Sequence, residues 1–232
     1  MTIELYVFPP SPRAFKVMAV ANYLGFDWTL RPIDLIKGEQ KSPEFAALNP
    51  NMRMPVLKDG NYILWESNAI GQYLAGKKPE SGLLPVDEKA RLDVTRWQFW
   101  DLAHWDPTCA VYIFENVVKP IITKSGQPDP AAIAEGAELF HRAAKVLNGQ
   151  LKRNKFITGE RLTLADFSIG SAMNLADLAH FPIEPYGEII RWYGALRSLP
   201  AWQRTLAQCV IPAAIADDTA LIFIVFCQGE IT

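Results

Sequence analysis

The sequence is short of cysteine, histidine, net charge and long apolar runs, and each shortage excludes something. The three cysteines, at positions 109, 209 and 227, cannot build a framework of paired bridges. None belongs to a Cys-x-x-Cys, which excludes a zinc ribbon and a thioredoxin-type dithiol. His104, His141 and His180 have no ligand spacing among them, so no metal is expected. A net charge of −2 gives no bulk attraction to nucleic acid or to an anionic membrane. The longest apolar run, Ala220 to Cys227, falls far short of the roughly 20 residues of a membrane helix. The opening residues lack the basic and then apolar pattern of a secretory leader, and a reducing cytoplasm is the expected location. What is present is globular: 232 residues, 50% hydrophobic and 21% charged, enough for one large domain or two small ones and unlike a disordered chain.

The first 80 residues alternate strand and helix signals. Ile3 to Phe8 is a short β-prone run stopped by Pro9-Pro10. Ser11-Pro12 reads as an N-cap followed by proline at the first helical position, and Ala14, Val17, Met18, Ala21 and Leu24 follow at helical spacing until Gly25. Phe26 to Ile33 reads as a second strand, and Ser42-Pro43 opens a short helix to Leu48. Val56-Leu57 and Tyr62-Ile63-Leu64 flank Lys58-Asp59-Gly60-Asn61, a hairpin signal, and Glu66 to Ala75 follows as a helix. The order β-α-β-α-β-β-α requires a parallel pair followed by an antiparallel hairpin, hence a mixed sheet in residues 1–78.

Residues 79–87 read as a linker, rich in proline and glycine. Beyond it, 88–215 is expected to be all-helical. Glu88 to Val118 reads as one long helix bent at Pro107, and Ala131 to Lys152 as a second. Thr163-Leu164-Ala165-Asp166 reads as a capping box opening a helix to about Ala179, with shorter helices at Tyr186–Ser198 and Ala201–Cys209. Asp166 is therefore expected to be a cap rather than a catalytic carboxylate. The tail 216–232 holds the apolar run and reads as a strand with no sheet beside it. Covering a groove, pairing with another chain, and lying outside the fold all remain open for it.

Three stretches together carry a resemblance: Asn49-Pro50-Asn51-Met52-Arg53-Met54-Pro55-Val56-Leu57, then Asp59-Gly60, then Leu64-Trp65-Glu66-Ser67-Asn68-Ala69-Ile70 with Tyr73-Leu74. They resemble the glutathione-binding half of the cytosolic glutathione transferases, and Gly159 with Leu162 to Asp166 resembles their helical half. The resemblance covers residues 1 to about 210. It implies a thioredoxin-like α/β N-terminal domain, an all-α C-terminal domain, glutathione as co-substrate and a homodimer. Two positions depart from the family pattern: Met52 where glycine is usual, and Met54 where valine is usual.

The resemblance also implies roles. Ser67, with the free N–H groups of its helix start, forms an anion site for the γ-glutamyl carboxylate, while Glu66 helps hold the ammonium. Pro55 is implied to be cis, leaving the Met54 backbone to run antiparallel to the cysteinyl part of glutathione. Lys41, with Arg53 nearby, would reach the glycine carboxylate. Ser11 is the first candidate for activating the thiol, as a hydroxyl donor to the sulfur beside a positive helix end. Tyr6 is the second, and Arg13 the third, as a guanidinium that would favour thiolate. No cysteine lies near, which disfavours members that form a mixed disulfide with their own thiol. On the long helix, His104, Trp105 and Tyr112 are the candidate wall of a pocket for an apolar electrophile. The expected activity is attack of glutathione thiolate on an electrophilic carbon, or reduction of a peroxide or disulfide. The alternative is a non-catalytic relative serving translation or transcription as an interaction module.

Overall fold

The computed structural model describes residues 2–209, so the expected strand in the tail lies outside the described residues. Two compact units emerge. One takes in the chain up to Leu74 and again from Leu199, and the other is Ala75–Ser198.

In the first unit, alternation along the opening residues makes β1 (Ile3–Val7), with Ile3, Leu5 and Val7 buried. The chain then turns into α1 (Pro12–Tyr23), where proline at the first position and Gly25 at φ +68 mark the two ends. β2 (Trp28–Pro32) returns parallel to β1, in register from Ile3↔Trp28 to Val7↔Pro32. A 3-10 turn, Glu39–Lys41, leads to α2 (Pro43–Leu48), whose cap is the Ser42 hydroxyl accepting from the Phe45 N–H at 3.2 Å. β3 (Val56–Asp59) and β4 (Tyr62–Trp65) form the antiparallel hairpin, turning through Gly60 at φ +62. The sheet order is β2-β1-β3-β4, mixed as the sequence requires. α3 (Ser67–Gly76) follows β4 with no intervening loop.

The last described helix, α9 (Pro200–Gln208), also belongs to this unit rather than to the helical half expected to run to 215. Its apolar face packs on α1, with Trp202 edge-on to Phe15 at 4.7 Å between ring centroids. Asn22 clamps the contact. Its amide donates to Thr205 Oγ1 at 2.8 Å and to Gln208 Oε1 at 2.7 Å, while its oxygen accepts from Trp28 Nε1 at 3.2 Å.

The second unit is helical throughout its regular structure. α4 (Glu88–Trp100) is capped by Asp87, which accepts from Ala90 N–H at 2.9 Å. The expected single helix to Val118 is instead interrupted twice by π-helix, at Asp101–Trp105 and Phe114–Ile122, with α5 (Asp106–Ile113) between them. The first π segment ends two residues before Pro107 and the second contains Pro120. Proline lacks an N–H and crowds the carbonyl four residues back, and a wider turn relieves that conflict. α6 (Pro130–Leu151) approaches α5 closely at Gly136, where a Cβ would meet Val111 Cγ1 at 2.8 Å. α7 (Leu164–Gly170) continues as a 3-10 turn, Ser171–Leu175, and α8 (Gly187–Arg197) completes the unit. Among the described residues, no helix is long and apolar enough to cross a membrane.

Candidate active site

The first unit gathers most of the residues singled out in the sequence. Ser11 is the N-cap residue of α1, in extended conformation, and its carbonyl accepts from Phe15 N–H at 2.8 Å. Its hydroxyl makes no capping hydrogen bond. That matters because Ser-Pro is so good a capping pair that a cap is the ordinary explanation of the serine. Arg13 sits one turn-start further on, half-buried. Tyr6 points elsewhere: its hydroxyl donates to Glu4 Oε2 at 3.3 Å, and Glu4 is bonded to Arg31 as well. Burial and the Glu4 charge raise the Tyr6 phenol above its usual range.

The Met54–Pro55 peptide is cis, as the resemblance implies. The β1–β3 ladder ends at Tyr6↔Val56, so Met54 lies just beyond it. The preceding loop is organised by Asn49, a buried residue that opens the motif but is assigned no role from the sequence. Its amide donates to the Arg53 carbonyl at 2.6 Å, and its oxygen accepts from the Asn51 N–H at 3.0 Å. The Asn-Pro start of the motif was the available signal, because asparagine side chains bond nearby backbone in turns. Met52, where the family usually has glycine, adopts φ +53. The position keeps its left-handed backbone without the residue that adopts it freely. Lys41 and Arg53 are both exposed.

At the junction of β4 and α3, Glu66 is exposed and left-handed, with φ +74, and its carbonyl accepts the first helical bond from Ile70 at 2.9 Å. Such strain in a non-glycine residue persists where surrounding structure enforces it, and it gathers at ligand sites. Ser67 is buried at the first position of the helix, where N–H groups have no partner inside the helix. Lys16, also unremarked in the sequence, is 3% exposed and donates from Nζ to Asn68 Oδ1 at 2.9 Å. This bond joins α1, whose N-cap is Ser11, to the first turn of α3. The unit thus holds a non-capping hydroxyl at one helix start, a buried serine at another and a buried lysine bonded to the second.

The three residues proposed as a pocket wall separate. Trp105 is fully buried, donating from its indole to the Ile169 carbonyl at 3.0 Å and packing on Phe140 at 5.2 Å. Tyr112 is buried against Phe140 and Phe181. Both are core of the helical unit, because the aromatic side chains of one helix face meet Phe140 of α6 instead of a ligand. His104 alone is exposed, lining an open groove of about 310 Å³ with Trp100, Leu139, Arg142 and Val146. Asp166 is the cap expected of it, accepting from Thr163 N–H at 2.8 Å. Burial pushes the Cys109 thiol well up and the Cys209 thiol up to about 12, so neither is poised as a nucleophile.

Comparison with known proteins identifies the family. Residues 1–76 match the glutathione S-transferase N-terminal domain model, and residues 130–195 match a glutathione S-transferase C-terminal domain model. Glutathione S-transferase 3 of Zea mays is 34% identical over 218 residues, covering 90% of this chain and 96% of its own. A solved glutathione S-transferase III in apo form is 31% identical with a TM-score of 0.82, covering 91% of this chain and 99% of that one. A glutathione S-transferase-I bound with lactoylglutathione is 26% identical with the same TM-score of 0.82, over 90% of this chain and 100% of that one. The mixed sheet with its flanking helices is the thioredoxin-like fold of these enzymes, and this chain belongs to the glutathione S-transferase family.

Proposed function

We propose that this glutathione transferase seats glutathione in its first unit and uses Ser11 to hold the cysteinyl sulfur as thiolate. The thiolate attacks an electrophilic carbon, forming a C–S bond while the leaving group departs with its electron pair. The observation that carries this reading is the N-cap serine whose hydroxyl does no capping. A hydroxyl left out of the helix cap, beside the positive end of α1, is placed to donate to an anion. Arg13 adds positive charge near the same helix start.

The remaining contacts follow the parts of the ligand. Ser67 and the start of α3 take the γ-glutamyl carboxylate, with Glu66 toward the ammonium. The Met54 backbone, beside Pro55, pairs with the cysteinyl residue as a one-residue strand. Lys41 and Arg53 serve the glycine carboxylate as exposed cations. The lactoylglutathione held by a structural relative supports glutathione as the co-substrate. A homodimer in the cytoplasm completes the reading. It is supported by large apolar side chains left exposed on α4, with Phe99 68% and Leu92 59% accessible.

Calorimetric titration with glutathione, alongside conjugation of an aryl halide, tests the site. Ser67→Ala is expected to weaken glutathione binding about tenfold, the worth of a hydrogen bond to a charged group. Unchanged affinity would remove Ser67 from the site.

A further inference from the structure

Helix α1 carries a lysine inside an otherwise uncharged buried stretch. Every residue from Ala14 to Asn22 is buried, Lys16 among them. Taking an ammonium out of water is costly unless strong hydrogen bonds replace the lost hydration. One hydrogen bond from Lys16 Nζ goes to the Asn68 side-chain oxygen, one residue past Ser67. Asn68 stands in the first turn of a helix that the chain enters through the left-handed Glu66.

We propose that Lys16 is a positioning residue for the γ-glutamyl carboxylate of glutathione, acting through Asn68. The role rests on the reading of Ser67 as the carboxylate site. Two effects combine. A charge-assisted bond fixes the Asn68 side chain more firmly than a neutral one would, and so holds the first turn of α3 against the strain of its entry. A buried cation beside that turn also adds to the positive end of the helix, and burial shields its field from salt. The carboxylate is thereby bound more tightly without touching Lys16.

The test uses the full chain and two ligands. One is glutathione, and the other is glutathione whose γ-glutamyl carboxylate has been converted to an amide. Lys16→Met and Asn68→Ala are each expected to raise the Kd of glutathione about tenfold while leaving that of the amide within about twofold. Lys16→Arg, which keeps the cation, should recover most of the loss, and kcat at saturating glutathione should change much less than KM. If Lys16→Met fails to fold, Asn68→Ala carries the same comparison. Equal weakening of both ligands, or of neither, would overturn the role of Lys16. Wild type binding the amide as tightly as glutathione would overturn the carboxylate site itself. A wild-type preference for the carboxylate that survives both variants in full would overturn Lys16 alone.

Discussion

Asp166 sets two forces against each other in the helical unit. Its carboxylate is fully buried and accepts four hydrogen bonds. Oδ1 receives Ile157 N–H and Trp192 Nε1, both at 2.9 Å, and Oδ2 receives Thr163 N–H at 2.8 Å and Thr163 Oγ1 at 3.2 Å. Those bonds favour the charged form and burial opposes it. Burial prevails, and the carboxyl is pushed up from 3.8 to about 6. Between those values the folded chain holds a proton that the unfolded chain has released. The state that binds more protons gains on acidification, so this contribution to stability is fully present below 3.8 and lost as pH rises through about 6. At about 1.4 kcal/mol per pH unit, the gap amounts to about 3 kcal/mol.

Asp166→Asn removes the titration while keeping the shape. Urea unfolding of both proteins, followed by tryptophan fluorescence between about pH 4 and pH 7.5, isolates the effect, because every other carboxylate cancels in the difference. From neutral pH to about pH 4, wild type is expected to gain up to about 3 kcal/mol on the variant, whatever their offset at pH 7. A flat difference would refute the reasoning. So would a wild type that loses ground on acidification, since the four hydrogen bonds would then outweigh burial.

Two further outcomes are expected. Met52→Gly should stabilise the chain by up to about 1.5 kcal/mol, because roughly 1–2 kcal/mol of left-handed strain is relieved against about 0.5–1 kcal/mol of added chain entropy; a lower urea midpoint would contradict the φ of +53 at this position. Light scattering should give a mass near twice that of the 26.0 kDa chain, and Phe99→Asp should reduce it to one chain. A wild-type monomer at micromolar concentration would contradict the dimer.

Much of the first unit was legible because its signals are local. Ser42-Pro43 names a cap that the Ser42 hydroxyl makes, and Gly60-Asn61 names a turn in which glycine takes a positive φ. In the second unit, Thr163 and Asp166 likewise announce their capping box by spacing alone. What was hidden depends on tertiary partners. The apolar face of α9 says that it packs, but not that it packs on α1. An aromatic stripe at helical spacing looks the same whether it faces Phe140, as Trp105 and Tyr112 do, or a ligand. Pro107 marks a disturbance, yet the one-residue insertion that makes a π turn leaves no periodic trace. Lys16 carries no signal of its own in the sequence, because its partner Asn68 lies 52 residues away.

The central claim is that Ser11 and the start of α1 stabilise the thiolate of bound glutathione. A free cysteine thiol titrates near pH ~8.5. A hydroxyl donated to the charged sulfur contributes about 1.5–3 kcal/mol and the helix end about 0.3–1 kcal/mol, together lowering that value by about 1.5–3 pH units. Thiolate absorbance of bound glutathione against pH measures this directly. Wild type should show a midpoint between about 5.5 and 7, and Ser11→Ala should raise it by about 1–2 pH units with little change in glutathione affinity. A wild-type midpoint at the free-thiol value, or one that Ser11→Ala leaves unmoved, would contradict the account.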